Sequence, residues 1–298
     1  MVSTDVDNPW PSLPYDSWRD AKTTLHMFTQ VVGKVRLALA PAEPEWQHVP
    51  LYVTAWGLTT GPMPAGDRSV ELAFDLVHHQ LTVGSGHGDG AVLTLAGRSV
   101  AQFYEDVLAA LGHFGVTVTI NPKPQEVPDP VPFPDDDRAG YDPIWVARFH
   151  RLLGSVERVV QGFRAPFTGR HTKIQFFWGT FDIAYTRFSG VPASAPPGAG
   201  VIRRPSMDAE QYCCGFWPGD ERRSEPAFFT FSFPKPEGLE NASVDPGGWD
   251  SSMGEFILPY EAVRTARNPE GVLTRFFQQT YDATAERGRW PSPVSANT

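Results

Sequence analysis

A chain carrying HTKIQFFWGTFDIAYTRFSG, residues His171–Gly190, has to build a sheet around it. The triplet Phe176, Phe177 and Trp178 and the β-branched residues beside it favour extended backbone. The run reads as the central strand of a large sheet, with Gly179 marking a bulge or a close backbone approach. Alternation puts Ile174, Phe176, Trp178, Thr180 and Asp182 on one face, and Gln175, Phe177, Tyr185 and Arg187 on the other. A carboxylate on an aromatic face is partly desolvated, which raises its pKa and suits proton transfer. A buried structural ion pair is the plainer alternative for Asp182 and Arg187.

The first part of the chain alternates between two periods. Trp18, Ala21, Leu25, Phe28 and Val32 recur at helical spacing after Ser17 as N-cap, and Gly33 closes that helix. Val35, Leu37 and Leu39 then alternate as a strand ended by Pro41. Further strands are expected at His48–Thr60, Ser69–Leu76, Leu81–Val83, Val92–Leu95 and Val116–Ile120, with a helix capped by Ser99 before the last. Gly84–Ala91, GSGHGDGA, has the skeleton of a dinucleotide-binding loop, but a strand follows it instead of a helix, so it reads as a hairpin turn.

NPKPQEVPDPVPFPDDD (residues 121–137) holds six prolines, which favour polyproline-like backbone. After it, Asp142 and Pro143 open a helix with Ile144, Phe149, Leu152, Leu153, Val156, Val160 and Phe163 inward. A flexible loop at 191–200, strands at Gln211–Trp217, Ala227–Phe233 and Glu255–Leu258, and a helix opened by Asn268 and Pro269 complete the pattern. The expected fold is α+β: antiparallel sheets with helices packed on one side, in two pseudo-similar halves. The expected divisions are an arm (1–14), a first half (15–120), a proline strap (121–141), a second half (142–287) and a frayed tail (288–298).

The formal charge of −9 argues against a nucleic-acid or anionic-membrane partner, because both need clustered Lys and Arg. No apolar stretch nears the ~18 residues of a spanning helix. An acidic, proline-bearing N-terminus is unlike a signal peptide, and two adjacent cysteines, Cys213 and Cys214, favour a reducing, cytoplasmic setting. On a strand the two cysteines read as small buried hydrophobes rather than a redox pair.

Among the eight histidines, His26, His48 and His79 fall on elements expected to be ordered, yet their spacing matches no zinc signature. His26 and Gln30, four apart, share one edge of the first helix. Glu255, in GEFILPYEA with Tyr260 behind it, is a candidate general base or an edge-strand ion-pair partner. Trp217, in the turn GFWPGD, could wall a pocket.

HMFTQVVGKVRLAL, HVPLYVTAWGLTTGP, FFWGTFDIAYTRFSG, GFWPGD and GEFILPYEAV together resemble a bacterial family of domains of unknown function, the 5996 family. The resemblance covers nearly the whole chain and implies no activity. It implies polar work near His26, His48, His79, Asp182, Arg187 and Glu255. The family pattern has histidine where this chain has Gln175, which weakens any metal site built on that strand.

The expected function is an aromatic-lined pocket for a small, anionic metabolite, without a bound cofactor or metal. In the enzymatic version His26, His48, Asp182 and Glu255 move protons, while Arg187, Trp178, Gln30, His79, Tyr260 and Trp217 hold the substrate. A non-catalytic binding protein using the same pocket, and a structural or partner-binding protein without one, are the alternatives. The oligomeric state is left open.

Overall fold

The computed structural model describes residues 8–195, 197–198 and 206–291. The first seven residues of the arm, most of the expected loop's second half and the end of the tail lie outside the described residues. The protein is α+β, and its strands form two antiparallel sheets. By its internal contacts the chain divides into two compact units. The first holds Met1–Glu43, His48–Gly154 and Gln175–Asp182; the second holds Pro44–Gln47, Ser155–Ile174 and Ile183–Thr298.

In the first unit, α1 (Tyr15–Leu39) begins after Pro14, whose side chain cannot cap, so Ser17 lies inside the helix. The expected strand at Val35–Leu39 is the last part of α1. Val35 continues the buried stripe of Val31 and Val32, and Leu37 is exposed. Gly33 does not end the helix. A Cβ there would overlap the indole of Trp178, so glycine admits that ring against the helix backbone.

The expected single strand at His48–Thr60 is two, β1 (Tyr52–Val53) and β2 (Gly57–Thr59). They are divided by a turn in which the Thr54 hydroxyl accepts from the amides of Trp56 and Gly57 at 3.2 and 3.0 Å. The sheet runs β1-β2-β4-β5-β6, with β4 at Arg68–Asp75, β5 at Gln80–Ser85, β6 at Gly90–Thr94, and the short β3 (Met63–Ala65) paired to β4. GSGHGDGA is the β5–β6 hairpin turn. On α2 (Val100–His113) Ser99 forms a full capping box with Gln102. Val116–Ile120 is not a strand, and Phe133 is buried within the proline strap.

α3 (Pro143–Arg164) opens on Asp142, whose carboxylate accepts from the Ile144 amide at 2.8 Å. Ile144 is 55% exposed instead of inward, because Val146 and Phe149 take the buried positions of that turn. The stretch read as one strand is broken. β7 (Gln175–Phe177) bridges to Leu51, a turn follows in which Phe181 is left-handed at φ 62°, and β8 resumes at Asp182–Pro192. The turn resets the alternation, so Asp182 does not share a strand face with Phe176 and Trp178.

In the second unit the strands run β11 (Gly248–Asp250), β12 (Glu255–Pro259), β10 (Ala227–Phe233), β9 (Ala209–Trp217), β8. β10 and β9, not β8, are therefore central. One face of this sheet carries Tyr185 and Arg187 opposite Cys214 and Tyr212, which in turn lie opposite Thr230 and Ser232. The last helix, Pro269–Arg287, capped by Asn268, packs on that face. Tyr212 donates to Phe277 O at 2.9 Å, and the Ser232 and Thr284 hydroxyls meet at 2.7 Å. Cys213 and Cys214 are buried thiols.

Candidate functional site

The residues singled out from sequence fall into several groups, each within one unit. In the first unit, α1 brings His26 and Gln30 to the turn after β7. His26 Nε2 lies 2.9 Å from Trp178 O and 3.0 Å from Gly179 O, so that nitrogen carries the hydrogen and donates to both. Gln30 is fixed by paired bonds to the Gln125 backbone, both 2.7 Å. Burial, with Lys22 nearby, pushes the His26 pKa down to about 3, so the ring is neutral. Trp178 donates its indole N–H to Val49 O at 2.8 Å, and the Thr180 hydroxyl donates to Asp182. Together these bonds tie α1 and residues 178–182 into one polar knot.

His48 and His79 stand apart from that knot. His48 Nδ1 accepts from the Glu43 amide at 3.0 Å. His79 is left-handed at φ 55°, with Nδ1 3.0 Å from the Tyr141 hydroxyl. Burial lowers the pKa of His79.

In the second unit the most unusual group is Arg187. It is 3% exposed and lies in no ion pair among the described residues. Its Nη2 donates to Phe163 O, a carbonyl of the last turn of α3, and so meets the negative end of that helix. Its Cζ lies 3.5 Å from the ring centroid of Phe163, 4.4 Å from Tyr281 and 4.7 Å from Phe167. Its Nε finds no hydrogen-bond partner among the described residues, and neither does the hydroxyl of Tyr185, two residues earlier on the same face, although the guanidinium is near enough to favour the ionised form of that hydroxyl. Burial pushes the Tyr185 hydroxyl up to about 12, against the pull of Arg187.

His171, paired with Arg187 across a β-bridge, stands at the half-exposed rim with its ring 5.7 Å from Tyr185. Its Nδ1 donates to Thr172 O at 2.7 Å.

Glu255 occupies the opposite face. It starts β12 directly across from Asp250, and burial, with that carboxylate second, pushes its pKa up to about 7. Tyr260 is buried in the core edge-on to Phe216 at 5.6 Å, and Trp217 is half-buried at the end of β9.

The sequence reading missed Tyr185, His171, Phe163 and Tyr281. Tyr185 was accessible, since it shares parity with Arg187 on one strand. Phe163 and Tyr281 come from helices far apart in sequence, and no spacing rule links them to β8.

Among the described residues no group of three or more His, Cys, Asp or Glu is placed to hold a metal ion. No helix among them is long and apolar enough to cross a membrane. No curated protein and no solved structure matches the chain. The model of one family, described as a family of unknown function (DUF5996), matches residues 10–296, and the chain belongs to that family.

Proposed function

We propose that this protein binds a small anionic molecule, with Arg187 as the group that receives the negative charge. The observation that carries this reading is a buried guanidinium which, among the described residues, has an unmet Nε–H, an unmet tyrosine hydroxyl beside it and no carboxylate paired to it. A buried charge is costly unless paired, and a buried donor without an acceptor adds its own desolvation penalty. The last-turn carbonyl of α3 and the surrounding rings offset part of that cost. An anionic oxygen accepting from Nε and from Tyr185 would offset the rest.

The test is thermal unfolding of the full chain in benzoate, phosphate and chloride at matched ionic strength, for the wild type and for Arg187→Met. Stabilisation of the wild type by at least one of the first two, beyond chloride and absent from the variant, is expected. Equal responses of wild type and variant, or none in the wild type, would refute it.

A second reading retains acid–base chemistry, with Glu255 as the proton carrier, because a carboxyl poised near neutral pH suits both donation and acceptance. Incubation with a metabolite pool separates the two. A compound consumed by the wild type but not by Glu255→Gln favours the enzyme; a compound retained unchanged by both favours the binder.

A further inference from the structure

We infer that the ligand of the Arg187 box is a monocarboxylate with an apolar body, not a phosphate or another dianion. This rests on the reading of Arg187 as the anion-binding group and narrows it to a chemical class.

Charge comes first. One guanidinium is buried here, and the other donor on offer, Tyr185, is neutral. A second negative charge would enter the interior with no buried cation to meet it. Arg164 influences Tyr185 from farther off and is half-exposed.

The local helix end points the same way. Phosphate sites commonly use helix N-termini, whose free N–H groups face the anion. Here Arg187 bonds Phe163 O at the C-terminal end of α3, where carbonyl oxygens and the negative end of the dipole disfavour added negative charge. A single, delocalised charge is the anion such a site tolerates.

Shape gives the third argument. The rings of Phe163, Tyr281 and Phe167 crowd the guanidinium at 3.5 to 4.7 Å, so anything reaching Nε contacts aromatic carbon on the way. Such walls favour a flat, planar head and a ring or short alkyl body over a hydrated tetrahedral one. Phe167, half-exposed in the loop that follows α3, is the most solvent-accessible of the three rings.

The experiment is calorimetric titration of the full chain with benzoate, hexanoate, phenyl phosphate and the neutral isostere benzamide. Benzoate or hexanoate is expected to bind, and benzamide to bind at least about tenfold more weakly, the loss expected for a charge-assisted hydrogen bond. Tyr185→Phe, which keeps the ring and its packing, is expected to weaken the carboxylate by roughly tenfold without changing the circular dichroism spectrum. Phenyl phosphate binding more tightly than benzoate, and losing that binding in Arg187→Met, would overturn the carboxylate class while leaving Arg187 as an anion site. Benzamide matching benzoate, or no binding by any of the three anions, would overturn both.

Discussion

Replacing Glu255 by glutamine should stabilise the protein at pH 8 and do little at pH 5. Glu255 stands across from Asp250 in the β11–β12 pair, and Asp250 already holds the local cation, accepting from Arg223 at 2.6 Å. The Ser252 hydroxyl and then Arg223 hold the Asp250 carboxyl well below the usual range, so it is ionised and repels a second negative charge. Glu255 itself makes no side-chain hydrogen bond or ion pair among the described residues. Burial and Asp250 together lift its pKa from 4.5 to about 7.

Between those two values the folded chain binds more protons than the unfolded one, so stability falls as pH rises through the window. The penalty is complete above the folded pKa and absent below the unfolded one. A lift of this size is worth at most about 3.5 kcal/mol at roughly 1.4 kcal/mol per unit. Glu255 is only half-buried, and screening by solvent brings the expected gain to about 1–2 kcal/mol. Urea unfolding of wild type and Glu255→Gln at both pH values measures it. A gain equal at pH 5 and pH 8, or a loss at pH 8, would refute the argument.

Gly33→Ala should destabilise the chain by about 2 kcal/mol even though alanine is the better helix former by about 1 kcal/mol, because the new methyl group displaces the Trp178 ring; an unchanged or higher urea midpoint would count against that contact. Ser99→Ala should cost about 1 kcal/mol by removing the α2 capping box, and Ser99→Asp should recover most of it in the same assay. Tyr212→Phe should cost about 1–2 kcal/mol, since the Phe277 carbonyl loses a buried donor and the Thr280 hydroxyl loses a partner; thermal unfolding indistinguishable from wild type would refute it.

Where local signals agreed with each other, the sequence was legible. Arg68–Asp75 alternates cleanly between turns and is a strand, and Ala227–Phe233 has the bounds expected for it. The caps at Ser99, Asp142 and Asn268 open helices as their side chains require. The errors arose where a long-range contact set the conformation. Val35, Leu37 and Leu39 fit a period of two, yet α1 runs through them, and Gly33 looked like a stop because its partner, Trp178, lies far along the chain. The ribbon from His171 reads as continuous, since nothing local announces that Phe181 takes a left-handed conformation. The perturbed carboxyl of Glu255 depends on a hairpin that returns Asp250 to its side, which composition cannot reveal.

The choice of Arg187 over other buried cations turns on what surrounds each of them. Arg36 in the first unit repeats part of the pattern: it is buried, donates Nη1 to Thr60 O and stacks 5.2 Å from the Tyr52 ring. Tyr52, however, senses both Arg36 and the carboxylate of Glu43, so negative charge is already at hand there. A buried guanidinium with a counter-charge nearby has its charge offset within the fold. Around Arg187 the second unit provides rings, a helix carbonyl and a tyrosine hydroxyl that is itself unmet. A donor edge and a hydroxyl left open on one strand face need a common acceptor, and a bound carboxylate has two oxygens to give. If Arg187 served only to cap α3, Tyr185→Phe would relieve an unmet hydroxyl and raise stability without touching anion binding. A ligand site shares the first outcome and reverses the second: that variant would gain stability alone but be stabilised less than wild type by benzoate.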